Sequence, residues 1–126
     1  MTYLSRLAFI AALAVSLGGT SALQKKSNLS GTWVFSVDLE TGGHGDPTFV
    51  FRQEGDKLTG TYDGPMGQHE VTGTVTGNKA VFGFQATDEG ETVKATYTAM
   101  IDGDTKMSGT VEFSSGVKGK WTAQKK

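Results

Sequence analysis

The sequence predicts an all-β chain folded as an eight-stranded antiparallel up-and-down β-barrel, and three observations predict it. A five-residue phrase, apolar–polar–Gly–polar–apolar, recurs as Leu29-Ser30-Gly31-Thr32-Trp33, Leu58-Thr59-Gly60-Thr61-Tyr62, Val71-Thr72-Gly73-Thr74-Val75 and Met107-Ser108-Gly109-Thr110-Val111, with Val117-Lys118-Gly119-Lys120-Trp121 as a variant. Apolar and polar residues alternate with period two through most of the chain, and no segment holds a helical period. Short turns containing Gly, Asn, Asp or Ser separate the alternating runs, as hairpin connections do.

The first strand, 32–38, carries Trp33, Phe35 and Val37 on one face and ends at a loop, 39–47, holding Gly42-Gly43-His44-Gly45-Asp46. The second, 48–53, places Phe49, Phe51 and Gln53 on the same face and turns at Glu54-Gly55-Asp56. The third, 57–62, carries Leu58, Gly60 and Tyr62 and leads into the loop 63–67. The fourth, 68–76, has His69, Val71, Gly73 and Val75 in phase and turns at Gly77-Asn78. The fifth, 79–86, contributes Ala80, Phe82 and Phe84, and the sixth, 92–101, contributes Val93, Ala95, Tyr97, Ala99 and Ile101. The seventh, 106–113, and the eighth, 117–123, supply Met107, Val111, Phe113, Val117 and Trp121. The opposite face is Thr, Lys, Glu, Ser and Gln, with Val34, Val50, Val81 and Met100 as its apolar exceptions.

A sheet with one dry face must cover it. No helix is predicted to do so, and closing the sheet on itself covers the face and removes the edges together. A two-sheet β-sandwich is the alternative. Gly60, Gly73, Gly109 and Gly119 fall on the inner face, where glycine permits a bend at a barrel corner and room for a packed ring; space for a ligand is the other reading.

Residues 1–22 are expected to be a signal peptide, with Arg6, the apolar run from Leu7 to Leu17 and the small residues Thr20-Ser21-Ala22 before cleavage. The apolar run is short for a membrane span, so no span is expected after cleavage. The expected organisation is a tail, 23–30, and a single barrel domain, 31–126. The exported product is expected in the periplasm or secreted. The chain has no Cys, so it must hold together without disulfides and offers no thiolate to a metal. Its 12 Lys and Arg, Arg6 included, stand against 13 Asp and Glu, without the basic stripe that a nucleic-acid binder carries. No metal site and no cofactor are predicted: the two His have no compact spacing with carboxylates.

Strand direction sorts the loops. The connections after the second, fourth and sixth strands are short and close one end. The two longest, 39–47 and 63–67, share the other end, where ligands enter barrels. Trp33 and Gln53 are placed at the closed end, with Trp121 beside Trp33 after closure.

Gly31-Thr32-Trp33 at the head of the first strand, eight consecutive strands and a large first loop at the open end resemble the calycins, the lipocalins and avidins. The phrase Leu58-Thr59-Gly60-Thr61-Tyr62 is similar to the second glycine-bearing strand of avidins. The ending Gly119-Lys120-Trp121-Thr122-Ala123 resembles that of small exported bacterial barrels. The resemblance implies a ligand-binding barrel with its bottom closed by Trp33. It does not extend to the inward tryptophans and polar groups of a biotin site, nor to the lipocalin disulfide and C-terminal helix.

The function expected is an exported barrel that binds a small apolar or amphipathic ligand in an aromatic interior open at one end. Its predicted contacts are Phe35, Phe49, Tyr62, His69, Phe84 and Phe113. A second expectation is a small barrel enzyme, an isomerase, cyclase or lyase, in which His69 acts as base and Tyr62 as its phenolic partner, since imidazole titrates in the range proton transfer needs. A third is a packed accessory module acting through its outer face. Tyr97 is read as core with its hydroxyl paired, and Gln53 as an amide satisfied at the closed end by backbone or by an indole N–H.

Overall fold

The computed structural model describes residues 28–88 and 90–126. The predicted signal peptide and the tail up to residue 27 lie outside the described residues. Nine strands follow one another: β1 Gly31–Leu39, β2 His44–Gly45, β3 Thr48–Glu54, β4 Lys57–Gly64, β5 Gly67–Thr76, β6 Lys79–Asp88, β7 Glu91–Asp102, β8 Lys106–Phe113 and β9 Lys118–Lys125. All pair antiparallel with their sequence neighbours, apart from the short β2, which folds back on β1 while β3 pairs with β1's first half. β9 returns to β1 through a ladder from Gly119↔Leu39 to Lys125↔Trp33. The sheet is therefore closed, which excludes the sandwich. The eight long strands match the predicted ones to within two residues at every end. β2 lies inside the predicted first loop.

Tight turns hold where glycine takes a positive φ, as at Gly55 and Gly77, both at +61°. The repeated inner glycines have a different cause. A Cβ at Gly60 would collide with the Val50 carbonyl oxygen, and one at Gly109 with that of Thr98. Gly73 and Gly119 meet the backbone of Val81 and Asp38 in the same way. At these corners the neighbouring strand bends over the glycine, so the phrase encodes curvature and leaves no hole.

The inner face is a continuous core. Leu29, Trp33, Phe35, Phe49, Leu58, Val71, Phe82 and Val111 are essentially inaccessible, and the four apolar exceptions of the outer face, Val34, Val50, Val81 and Met100, are exposed. Phe35 sits at the hub: its ring centroid lies 4.3 Å from that of Phe49 and 4.6 Å from that of Trp121. The rings of Phe82 and Tyr97 lie nearly parallel, 9° apart, at 5.4 Å. Trp121 pairs with Val37 rather than with Trp33, whose partner on β9 is Lys125. Closing a barrel staggers its last strand against its first, and that stagger carries Trp121 away from the closed end.

The closed end is sealed by a residue ahead of β1. Leu29 is wholly buried. Its N–H donates to Gln53 Oε1 at 2.8 Å, and its carbonyl accepts the Trp33 indole N–H at 2.9 Å. Gln53 completes its bonding by donating from Nε2 to the Gly55 carbonyl and from its backbone N–H to Ser30 Oγ, each at 3.0 Å. The amide is thus satisfied by backbone, one of the two ways expected. Trp121 donates its indole N–H to the Thr110 carbonyl at 2.9 Å instead.

Candidate functional site

At the opposite end two loops meet over the mouth. The first is held by β2. Val37↔Gly45 and Asp38↔His44 pair, the Leu39 N–H donates to the Gly43 carbonyl at 2.8 Å, and the Phe35 N–H donates to the Pro47 carbonyl at 2.9 Å. The second, between β4 and β5, carries Pro65 and Met66. The two touch through glycines: a Cβ at Gly45 would lie 3.0 Å from Pro65 Cγ, and a Cβ at Gly64 would lie 2.7 Å from Pro47 Cβ and from Tyr62 Oη. Each loop thus keeps a glycine where the other places a proline, and the mouth is drawn in beneath them.

Under this roof lies a cavity of about 150 Å³. Its apolar wall comes from Val37, Leu39, Pro47, Pro65, Met66 and Phe113; Tyr62 and Tyr97 bring phenols to it and His44 stands at its edge. Tyr62 Oη accepts the Met66 N–H at 3.4 Å. Burial pushes the Tyr62 phenol above its ordinary value, and the Asp63 carboxylate adds to the rise. Tyr97 is 2% exposed. Among the described residues its hydroxyl has no hydrogen-bond partner, against the paired hydroxyl expected. Burial, and then the proximity of Tyr62, push its pKa far above the ordinary phenol value, so it stays a neutral O–H.

His44 is clamped at the edge. Its Nδ1 lies 2.7 Å from Asp38 Oδ1 and its Nε2 3.0 Å from Asp46 Oδ1. Both contacts raise its pKa, the Asp38 hydrogen bond most and the Asp46 hydrogen bond next.

Of the residues predicted to touch a ligand, Tyr62 and Phe113 line this cavity. Phe35, Phe49 and Phe84 are buried and pack on other rings: Phe84 stacks on Tyr62 at 4.1 Å and Phe49 meets Tyr97 edge-on at 5.2 Å. They form the floor and wall behind the cavity lining. His69 lies outside it. Its Nε2–H donates to the Met66 carbonyl at 2.6 Å, and its ring is parallel to Phe84, 3° apart at 5.2 Å. It stacks on Tyr62 with centroids 6.0 Å apart and makes no hydrogen bond to the phenol. The ladder between β5 and β6 runs from Thr76↔Lys79 to Thr72↔Gly83 and stops, and His69 and Phe84 stack just above that point. His69 therefore braces the second loop and the wall; the proton on its Nε2 is committed to a carbonyl.

Sequence reasoning missed Val37, Leu39, Met66 and Tyr97 as lining residues. One signal was available: the chain has only two prolines, Pro47 and Pro65, and they stand in the two loops assigned to one end.

No protein family matches the chain, and no curated protein does. Solved structures of designed barrels do. A redesigned β-barrel aligns with TM-score 0.66 at 19% identity, covering 78% of this chain and 91% of its own. The redesigned β-barrel mFAP1, bound to DFHBI, aligns with TM-score 0.63 at 21% identity, covering 77% and 94%. A de novo designed fluorescence-activating β-barrel aligns with TM-score 0.59 at 14% identity, covering 77% and 93%. At these identities the likeness establishes the fold, a closed antiparallel eight-stranded barrel.

Proposed function

We propose that the protein is a binding barrel that holds one small, neutral, largely apolar molecule beneath the two loops at its mouth. One observation carries the reading. The interior is filled with interlocked rings, as protein cores are, yet a pocket of about 150 Å³, open at the mouth, is kept beneath the two loops. An apolar cavity of that size elsewhere accepts benzene. The ligand class is therefore a single ring or a short branched chain. Phe35, Phe49 and Phe84 support the site from behind, while Val37, Leu39, Met66, Tyr62, Tyr97 and Phe113 touch the ligand. That mFAP1 binds DFHBI supports the use of such a barrel for small molecules. The Gly31-Thr32-Trp33 opening of β1 supports kinship with the calycins, and the layout of Arg6, the apolar run and Thr20-Ser21-Ala22 supports export before the barrel acts.

The test is a titration of neutral ring compounds followed by the methyl shift of Met66 and the fluorescence of Trp121. Saturable shifts at Met66 that disappear in Leu39→Trp, which fills the cavity from the other loop and keeps the Met66 methyl, are expected. Shifts absent throughout the panel, or unaltered in that variant, would remove the proposal.

A further inference from the structure

The cavity wall is apolar with one buried exception that has no structural partner. Tyr97 lines a space bounded by Val37, Leu39, Pro47, Pro65, Met66 and Phe113, and among the described residues no protein group bonds its hydroxyl. A buried hydroxyl left without a partner costs more than a hydrogen bond gains, so folded chains rarely keep one for packing alone. A Phe would fill the same ring position, between Phe82 at 5.4 Å and Phe49 at 5.2 Å, without that cost.

We propose that the cavity takes a ring-sized neutral molecule bearing one hydrogen-bond acceptor, a carbonyl oxygen above all, and that the Tyr97 hydroxyl is the specificity-determining group that recognises it. This rests on the binding reading above and deepens it. Three features select the chemistry. The hydroxyl is a donor with its proton uncommitted. Tyr62 adds a second: its oxygen already accepts from Met66 N–H, which leaves its own O–H free to donate. Among the described residues no cation lines the cavity interior. The one ionisable base at its edge, His44, is engaged by Asp38 and Asp46 on both ring nitrogens. A carboxylate or an ammonium would enter without a counter-charge and pay full desolvation; a carbonyl meets donors and keeps an apolar body.

The experiment uses two probes of one shape, cyclohexanone and methylenecyclohexane, against the wild-type barrel and Tyr97→Phe, with binding read from the Met66 methyl shift. The substitution is expected to weaken cyclohexanone about fivefold, the worth of one neutral hydrogen bond, and to leave methylenecyclohexane unchanged. Comparing each probe across the two proteins removes the difference in their transfer from water. Thermal unfolding of Tyr97→Phe is expected at or above the wild-type midpoint, because no bond within the fold is lost. If both probes bind and neither responds to the substitution, the Tyr97 assignment is overturned and the binding reading survives. If neither probe shifts Met66 in either protein, the binding reading itself fails for this ligand class and carries the assignment with it. A large drop in the unfolding midpoint would show that the hydroxyl serves the fold, and would also overturn it.

Discussion

His44 Nδ1 lies 2.7 Å from Asp38 Oδ1 across the β1–β2 pairing, and the same ring's Nε2 reaches Asp46 at 3.0 Å. Only the imidazolium can donate to both carboxylates at once, since a neutral ring carries one N–H. The clamp is thus a charge-dependent fastener on the loop that roofs the cavity.

Its pH dependence has a definite sign. The contacts raise His44 above its ordinary value of 6.5, Asp38 foremost. A group whose folded pKa is raised contributes fully below its unfolded pKa and loses that contribution as pH rises through the folded value. Loop amides at 39–46 are therefore expected to lose protection above that value, relative to their intrinsic exchange, while the β7–β8 ladder does not. Asp38→Asn should bring the His44 ring titration back toward 6.5. Both side chains are largely exposed, 48% for His44 and 76% for Asp38, so added salt should shrink the effect. A ring titration indifferent to Asp38→Asn would show that the clamp does not form.

Leu29 seals the closed end, and its replacement should be felt as a core substitution. Leu29→Ala removes a fully buried side chain while leaving the backbone bonds to Gln53 and Trp33 in place. A loss of about 3 kcal/mol is expected from such truncations, read as a lower denaturant midpoint at unchanged slope. A loss below about 0.5 kcal/mol, the size of a surface change, would show that the segment ahead of β1 does not dock.

Gly109 tests the corner argument. Its missing Cβ would run into the Thr98 carbonyl oxygen, which belongs to the backbone of the neighbouring strand and cannot rotate away. Gly109→Ala should cost about 1–3 kcal/mol or more, as overpacking does, whereas Thr110→Ala beside it, on the exposed face, should be nearly neutral. Equal effects from the two would mean that the phrase glycines are there for strand alternation alone.

The course of the barrel was readable because period-two alternation and glycine turns are local signals, and closure followed from the need to cover one dry face. The Trp121 position was not readable in the same way: it depends on the stagger between first and last strands, which no local pattern records. Leu29 was readable as the apolar head of the first phrase, in phase with Trp33, but it was assigned to the tail ahead of the barrel, and no local pattern records that this segment folds over the closed end. At the mouth, Tyr62 was legible as an inward residue at a strand end. Tyr97 was legible as inward but not as unpartnered, since that depends on which groups the two loops fail to bring to it. Three phenylalanines proposed as contacts, Phe35, Phe49 and Phe84, are inward as expected. The rings packed against them, not their own orientation, keep them out of the cavity lining.

Gly64 connects the roof to the site and can be tested without a ligand. A Cβ there would press on Pro47 Cβ and on the Tyr62 hydroxyl, each at 2.7 Å. Tyr62 is held between the stacked Phe84 ring and the Met66 N–H, so it has little room to withdraw, and Pro47 is itself buried. The expected response to Gly64→Ala is therefore displacement of the second loop, with loss of the 3.4 Å bond from Met66 N–H to Tyr62. That bond lowers the Tyr62 pKa against the rise from burial. If the ring stays buried, its loss should move the phenol titration further up; if the loop lifts and water enters, relief of desolvation should move it down. Ultraviolet titration of the phenols, with amide exchange at Met66, separates the two outcomes. An unchanged titration together with unchanged Met66 exchange would show that the loops do not bear on one another.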